Sequence, residues 1–369
     1  MTAASAPPPD RRPGNAASLP LTLGDPAPWF TADTPSQPAF TFNTVAGRYV
    51  LLGFLPLDPD QRQAAMVAAG ANRALFDDVR LSAFLVARDP ETAASARDKR
   101  GLRWFLDRDG AVSRLYGALD DQGTETPLWI LLDPSLRVAG RAPLAAAAQV
   151  FQMLRRLPEP DGYAEVPLVA PVLIAPRILE PELCERLIAL FDADGGAFGG
   201  VMRDGGARTR AVMDDFKKRR DVTIADPQLK AALRDALARR LFPQIHRAFQ
   251  FQVTEIERYL LGCYDADDGG LFRAHRDDTT RQTANRKFAC SINLNAGFEG
   301  GDLRFPEYGR TTCRPPVGGA VAFSCSLLHE ATPVTRGRRY AFLPFFYDAA
   351  GARTLAAYLN SVESPQAPG

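Results

Sequence analysis

The chain has 369 residues, a hydrophobic content of 46% and a formal net charge of +1. This length predicts about two domains, and the nearly neutral charge argues against nucleic acid or acidic membranes as general partners. No apolar run reaches the roughly 18 residues needed to span a bilayer. Five scattered cysteines without a Cys-x-x-Cys pair favour a reducing compartment, so we expect a cytoplasmic protein.

The first part of the chain has the pattern of a layered α/β domain. Residues 1–19 are rich in alanine and proline and lack the apolar core of a signal peptide, so we expect a disordered tail. From 20 to 157, apolar strands alternate with segments of helical spacing, such as Pro59–Asp78. The predicted buried strands are Tyr49–Leu55, Leu81–Val86 and Thr126–Leu132.

Three motifs in this part, Gly24–Phe30, Asp107–Gly117 and Leu131–Asp133, resemble those of a peroxiredoxin or thioredoxin-like domain. Peroxiredoxin chemistry requires a thiolate at the start of the helix after the first core strand. The sequence has Pro56-Leu-Asp-Pro-Asp60 there, and no cysteine precedes Cys184. We therefore expect a non-catalytic domain that serves as a scaffold, a docking surface or a homo-oligomer interface.

A proline-rich connector at 158–170 leads into a second domain at 171–350, and we expect 351–369 to be a C-terminal tail. The second domain opens with a helix that begins near Pro181, followed by a longer helix from about Pro227 to Phe249. Short strands separated by Gly, Pro and Asn turns then predict a β-barrel or sandwich.

Two of the chain's three histidines belong to one pattern, His275-Arg-Asp277 followed by His329. Because side chains alternate along a strand, His275 and Asp277 are expected on one face, where His329 from a distant strand can join them. Two imidazoles and one carboxylate with open positions form the ligand set of non-haem Fe(II) oxygenases. A His-x-Asp tripeptide by itself is also common on solvated loops, so the surrounding motifs matter.

Those motifs resemble the Fe(II)/2-oxoglutarate-dependent dioxygenases of the prolyl hydroxylase type, over residues 171–348. They are Tyr264, His275-Arg-Asp277, Ile292–Asn295, Gly300–Phe305, His329–Val334 and Gly337–Arg339. The resemblance implies a double-stranded β-helix (jelly-roll) with bracing helices. The whole chain is then an α+β multidomain protein, with a thioredoxin-like α/β domain first and the jelly-roll second.

The resemblance also implies roles for individual residues. It assigns the iron ligands to His275, Asp277 and His329. Arg339 would pair with the C5 carboxylate of 2-oxoglutarate, with Arg336 and Arg338 as alternatives expected to be solvated. Tyr264 falls at a cofactor-pocket position, and Asn293 stands where some relatives carry a second tyrosine.

Two basic features have open interpretations. Arg286 is either a substrate contact or a solvated turn residue. The run Lys217-Lys-Arg-Arg220 is interpreted as a solvated or substrate-facing loop.

The implied reaction is hydroxylation of a C–H bond, with prolyl 4-hydroxylation of a peptide, protein or amino acid as the leading form. The implied cofactor is Fe(II), the co-substrates are 2-oxoglutarate and O2, the products include succinate and CO2, and ascorbate is a candidate reductant. The alternative is a non-catalytic sensor or interaction protein that binds iron and 2-oxoglutarate. No nucleic-acid or membrane partner is expected.

Overall fold

The structure, a computed structural model, describes residues 21–205, 208–212 and 216–363. The chain divides into two compact units, one up to residue 166 and the other from residue 167, and this division falls inside the predicted connector. The tail predicted at 1–19 lies outside the described residues. Across the described ranges, no helix combines the length and the apolar character needed to cross a bilayer.

The first unit contains short strands and helices in alternation. Its strands are β1 (Thr31–Ala32), β2 (Phe40–Thr41), β3 (Tyr49–Phe54), β4 (Leu81–Ala87), β5 (Leu102–Leu106), β6 (Leu128–Leu132) and β7 (Val138–Pro143). Its α-helices are α1 (Pro59–Ala71), α2 (Pro90–Ser95), α3 (Ala111–Leu115) and α4 (Ala147–Leu154). Turns of 3₁₀-helix lie at Phe42–Val45, Arg73–Leu75, Leu144–Ala146 and Pro160–Gly162.

The core of this unit is a five-stranded sheet in the order β5-β4-β3-β6-β7. Strands β3, β4 and β5 are parallel, whereas β6 is antiparallel to β3, and β7 is antiparallel to β6. This mixed sheet is consistent with the predicted thioredoxin-like domain. The predicted helix Pro59–Asp78 was too long, because the Asn72 side chain caps the Ala68 carbonyl and α1 ends there.

A carboxylate cap stands at the position where peroxiredoxin chemistry requires a thiolate. Asp58 caps α1 by accepting a hydrogen bond of 2.8 Å from the Gln61 backbone N–H. The Glu125 carboxylate accepts a hydrogen bond of 3.0 Å from the Leu57 backbone N–H and pairs with Arg88. The start of α1 therefore faces the chain's own carboxylates.

The second unit is mainly β-structure. Its strands are β8 (Leu173–Ala175), β9 (Ala197–Phe198), β10 (Val201–Gly205), β11 (Arg208–Val212), β12 (Lys217–Lys218), β13 (Arg220–Thr223), β14 (Glu255–Ile256), β15 (Leu260–Asp265), β16 (Leu271–His275), β17 (Phe288–Asn293), β18 (Glu299–Gly300), β19 (Leu303–Arg304), β20 (Thr312–Cys313), β21 (Ala320–Ser324), β22 (His329–Ala331), β23 (Val334–Arg336), β24 (Arg338–Phe342) and β25 (Phe345–Tyr347). Its α-helices are α5 (Pro181–Asp194), α6 (Pro227–Arg240), α7 (Phe242–Phe249) and α8 (Ala349–Glu363), with a 3₁₀ turn at Pro306–Tyr308.

Two sheets form the body of this unit, consistent with the predicted jelly-roll. The larger sheet has the order β14-β25-β17-β24-β15-β13-β9, with β21 beside β17 and β8 beside β21. The smaller sheet has the order β12-β16-β22-β19-β20. An apolar cluster that includes Leu303 of the smaller sheet and Phe323 of the larger one joins them.

Alternation along the larger sheet separates a packing face from a pocket face. Ile292 and Phe342 point outward into the apolar cluster that contains Leu187 of α5 and Leu233 of α6. The bracing helices predicted for the outside of the barrel therefore pack on this face. Ser291 and Arg339, at the alternate positions, face the inside.

Two predictions about where helices occur need correction. The single helix predicted from Pro227 to Phe249 is two helices, because Pro243 lacks an N–H and cannot continue α6. The segment 351–369, predicted as a tail, is helical as far as Glu363, and its alanines and leucines favour that conformation. Residues 364–369 lie outside the described part of the chain.

Candidate metal centre and its pocket

His275, Asp277 and His329 come together at one end of the smaller sheet. His275 is the last residue of β16 and His329 the first of β22, and the two are direct partners in the antiparallel ladder. Asp277 was predicted on the strand itself but lies in a bend just beyond β16, and its backbone N–H donates to the Cys325 carbonyl at 2.9 Å. One ligand atom from each of the three residues lies within 4.8 Å of the others.

Backbone carbonyls orient both imidazoles. His275 Nδ1 lies 2.7 Å from the Arg273 carbonyl oxygen, and His329 Nδ1 lies 3.0 Å from that of Leu327. Because a carbonyl can only accept, each Nδ1 carries the hydrogen and each Nε2 keeps its lone pair for a metal. The two Nε2 atoms lie 3.5 and 3.3 Å from the Asp277 carboxylate oxygens.

The surroundings of Asp277 and His329 keep these two groups in the protonation states that bind metal. Burial raises the pKa of Asp277, but His329 and His275 outweigh it, so the net pKa lies well below the usual range. Burial lowers the pKa of His329 to about 4. At neutral pH the carboxylate is charged and His329 is neutral, as metal coordination requires. Phe272 stacks on the His275 ring with centroids 3.6 Å apart and limits its rotation.

Arg339 lies in the same pocket with neutral hydrogen-bond partners only. Its Nε donates to Asn293 Oδ1 at 3.1 Å, and its Nη2 donates to Ser291 Oγ at 2.7 Å. Tyr264 is its partner in the β15–β24 ladder, and the guanidinium lies 5.4 Å from the Tyr264 ring centroid. The side chain is buried, which lowers its pKa, and no carboxylate of the described residues lies within 4.0 Å of it.

Gly301, in the Gly300–Phe305 motif, makes room for this arginine. Gly301 has a φ of +68°, and a Cβ there would lie 2.7 Å from Val334 Cγ2 and 3.2 Å from Arg339 Cδ. A larger residue would be strained and would push the arginine stem out of position. The close approach of the Arg339 stem therefore explains the glycine at position 301.

The two alternatives to Arg339 lie at the surface, as predicted. Arg336 pairs with Glu299 at 2.6 Å, and Arg338 pairs with Asp265 at 2.6 Å. Their side chains are 72% and 58% exposed, respectively. Neither lines the cavity that contains the candidate metal centre.

Arg286 is not a solvated turn residue, so that interpretation was wrong. Its Nε lies 2.9 and 3.0 Å from the two carboxylate oxygens of Glu257, and its guanidinium lies 4.0 Å from the Phe345 ring centroid. Its Nη1 lies 3.5 Å from the Asp277 backbone oxygen. The fold brings these distant segments together, and no local motif indicated the pairing.

The basic run was also wrongly interpreted as a loop. Lys217 and Arg219 are buried and share the Asp221 carboxylate, at 2.7 Å for Lys217 Nζ and 2.5 Å for Arg219 Nε. Arg219 Nη1 donates to the Tyr264 hydroxyl at 3.3 Å. Arg220 turns the other way to pair with Asp268. The alternation Lys-Lys-Arg-Arg-Asp was a usable strand pattern, with one buried cation at every second position.

Sequence reasoning missed two further pocket residues. Ser291 holds Arg339, and Arg258 lines the same cavity as the metal centre. Arg258 lies between β14 and β15, outside every motif that the sequence displays. Nothing in its local sequence distinguishes it from a surface arginine.

Comparison with known proteins identifies the family. No family model matches the chain. A PKHD-type hydroxylase of Burkholderia ambifaria is 30% identical over 177 residues, which cover 43% of this chain and 74% of that protein. The chain belongs to the PKHD-type hydroxylase family. The hydroxylase resemblance that the motifs indicated is thereby confirmed, and the match covers less than half of the chain.

Two solved structures are each similar to a portion of the chain. A prolyl-4-hydroxylase of Pseudomonas putida, 21% identical, covers 51% of this chain and 96% of its own, with a TM-score of 0.35. AhpC of Mycobacterium tuberculosis, 18% identical, covers 38% of this chain and 94% of its own, with a TM-score of 0.28.

Proposed function

We propose that residues 171–350 form an Fe(II)- and 2-oxoglutarate-dependent dioxygenase that hydroxylates a C–H bond. The leading form is prolyl 4-hydroxylase-like action on a peptide, a protein or an amino acid. One observation carries the proposal: the Nε2 atoms of His275 and His329 face the Asp277 carboxylate, while backbone carbonyls hold both Nδ1 atoms.

The donor set fits Fe(II). Two imidazole nitrogens and one carboxylate oxygen leave coordination positions for a bidentate 2-oxo acid and O2. When bound, Fe(II) supplies the centre at which O2 oxidises 2-oxoglutarate to succinate and CO2 and the second oxygen atom enters the substrate C–H bond. The protein contributes the ligands, their orientation and a largely buried pocket.

Arg339 is proposed to bind the C5 carboxylate of 2-oxoglutarate. A buried guanidinium with neutral partners needs an anion, and it can donate two parallel hydrogen bonds to a carboxylate. Ser291 and Asn293 fix the guanidinium through Nη2 and Nε, which leaves Nη1 without a partner among the described residues. Tyr264 lies against the same guanidinium and is itself held by Arg219.

Arg286 is proposed as a substrate contact of a particular kind. Glu257 already neutralises its charge, and Nη1 of Arg286 lies near the Asp277 backbone. We therefore expect Arg286 to donate hydrogen bonds to a neutral group, such as a peptide carbonyl.

The first unit is proposed to have a non-catalytic role in docking or homo-oligomerisation. Asp58 and Glu125 occupy the start of α1, and no cysteine is present there. A carboxylate has neither the nucleophilicity nor the redox chemistry of a thiolate.

The competing function is a non-catalytic sensor that binds iron and 2-oxoglutarate. The deciding experiment supplies the full chain with Fe(II), ascorbate, O2 and 2-oxoglutarate, and measures succinate with candidate prolyl peptides, proteins and amino acids. We expect substrate-stimulated succinate formation and a product heavier by one oxygen atom. Binding of Fe(II) and 2-oxoglutarate without any succinate would favour the sensor.

A further inference from the structure

We propose that the substrate carries a carboxylate group and that Arg258 binds it beside the metal centre. The inference rests on the proposed function and names the substrate class of that same site. Arg258 lines the cavity that also contains His275, Asp277 and Arg339.

Arg258 is held at the cavity wall by neutral contacts. Its Nε donates to the Leu343 carbonyl at 3.2 Å, and its guanidinium lies 4.2 Å from the Phe345 ring centroid. These contacts use one N–H and one face of the guanidinium. The two Nη groups remain available for a planar anion.

No carboxylate of the described residues lies within 4.0 Å of this guanidinium. The nearest acidic residue in sequence, Glu257, is already paired with Arg286 through both of its oxygens. Removal from water, together with Arg219 and Arg286, lowers the pKa of Arg258 to about 10. The charge of Arg258 therefore costs free energy in the folded protein, as is common for groups that await a ligand.

A charge count for the pocket leads to the same conclusion. The charged residues that line the cavity are the cations Arg219, Arg258 and Arg339 and the carboxylate Asp277, and the neighbouring Lys217 and Asp221 pair with each other. Fe(II) and the 2-oxoglutarate dianion carry equal and opposite charges, so loading them leaves the positive excess unchanged. The C5 carboxylate of 2-oxoglutarate neutralises Arg339, while its other carboxylate belongs to the metal-chelating end. Arg258 still lacks an anionic partner after this loading, and the carboxylate of the substrate supplies one.

The backbone beside Arg258 accommodates this crowding of cations. A Cβ at Gly262 would lie 2.8 Å from Arg219 Cδ and 2.8 Å from Leu343 Cδ1. The glycine thus lets the Arg219 stem pass close to the strand while Leu343 holds Arg258. Any larger residue would force one of the two side chains to move.

A carboxylate can meet the guanidinium fork with two parallel hydrogen bonds. The α-carboxylate of a free amino acid or of a chain terminus offers this chemistry, and so does an acidic side chain next to the hydroxylated residue. The experiment distinguishes these two sources.

Calorimetry is carried out without oxygen on the full-length protein loaded with Fe(II) and 2-oxoglutarate. The first probe pair is N-acetyl-L-proline and N-acetyl-L-prolinamide, and the second is N-acetyl-aspartyl-prolinamide and N-acetyl-asparaginyl-prolinamide. We expect the charged member of at least one pair to bind on the order of tenfold more tightly than its neutral partner, as a charge-assisted pair requires. The pair that shows the preference identifies the source of the carboxylate.

Three variants assign the effect to Arg258. Arg258→Gln should abolish the preference and leave 2-oxoglutarate affinity unchanged, whereas Arg258→Lys should retain part of the preference. Arg234→Gln is the control, because Arg234 contacts the Tyr259 hydroxyl and does not line the cavity. The Tm of ligand-free Arg258→Gln should equal or exceed that of the wild type, since an unpaired charge is removed.

Equal binding within both probe pairs, or no binding of either charged probe, would overturn the inference. It would also be overturned by a preference that survives in Arg258→Gln, or by a loss of 2-oxoglutarate affinity in that variant. Fe(II) and 2-oxoglutarate binding are measured in the same samples. Failure of those two ligands to bind would instead refute the proposed function, and the inference with it.

Discussion

His275 and His329 stand directly opposite each other in the antiparallel ladder between β16 and β22, with ring centroids 4.3 Å apart. Sheet hydrogen bonds and two carbonyl contacts to Nδ1 hold this pair through the protein's own groups. The scaffold therefore orients both imidazoles by itself, which would reduce the ordering cost of binding a metal at this candidate site.

Metal binding is the first prediction. Under anaerobic conditions the protein should bind one Fe(II) per chain, and alanine at His275, Asp277 or His329 should each nearly abolish binding, because three ligands are the full protein set. His246→Ala is the matched control, since this third histidine is exposed on α7. Equilibrium dialysis with metal analysis measures the stoichiometry. Wild-type iron affinity in two of the three ligand variants would refute the assignment.

A substitution at Arg339 tests the proposed binding site for 2-oxoglutarate. Arg339→Ala should leave Fe(II) binding nearly intact and weaken 2-oxoglutarate by roughly ten- to a hundredfold, since a charge-assisted pair contributes about 1.5–3 kcal/mol. Calorimetry on the metal-loaded protein measures the change. Arg338→Ala is the control on the neighbouring, outward-facing position. Unchanged affinity in Arg339→Ala with a loss in Arg338→Ala would move the role to Arg338.

Ser291 is predicted to act as a positioning residue for Arg339. Ser291→Ala removes the 2.7 Å hydrogen bond to Nη2, so the KM for 2-oxoglutarate should rise by roughly two- to tenfold, in line with about 0.5–1.5 kcal/mol for one hydrogen bond. The kcat at saturating 2-oxoglutarate should change little, because the guanidinium only loses its orientation. Ser291→Thr should restore part of the affinity by returning the hydroxyl. A fall in kcat with unchanged KM would contradict this role.

The cysteines provide a prediction about pH. Burial raises the pKa of Cys184 to about 11 and that of Cys263 to about 12, above the ordinary thiol value of 9.0. Between pH 9 and pH 11 these two thiols stay protonated in the native state, whereas they ionise in the unfolded chain. The unfolded state then binds fewer protons, so the free energy of unfolding should fall as pH rises from about 9 toward 11. Urea titrations across this range, with Cys184→Ala as the comparison, should show the decline and a smaller slope in the variant.

The first unit is predicted to have no thiol-dependent peroxidase activity. The full-length protein should not consume hydrogen peroxide with dithiothreitol above the rate of a Cys184→Ser variant, because Asp58 and Glu125 stand where the thiolate is required. Deletion of residues 1–157 should leave Fe(II) binding intact and change the oligomeric state or solubility. Robust peroxide reduction that disappears on deletion would show that this unit is catalytic.

The sequence alone predicted candidate residues where they belong to a local motif. The sequence predicted that His275, Asp277 and His329 would lie together, and the structure brings one ligand atom of each within 4.8 Å of the others, although Asp277 lies in a bend and not on the strand. Arg336 and Arg338 were predicted to be solvated, and both lie at the surface. The lack of a cysteine before Cys184 likewise needed no structure.

Tertiary structure decided which charges find partners. Arg286 meets Glu257, and Lys217 and Arg219 meet Asp221, whereas Arg258 and Arg339 meet no carboxylate among the described residues. An arginine has the same local sequence signature whether it is solvated, paired or poised for a ligand. What differs is the group that the fold brings opposite it, often from a strand far away in the chain. The sequence therefore predicted the candidate ligands, whereas the charge balance of the pocket emerged only in three dimensions, because electrostatic energies depend on distance and on burial.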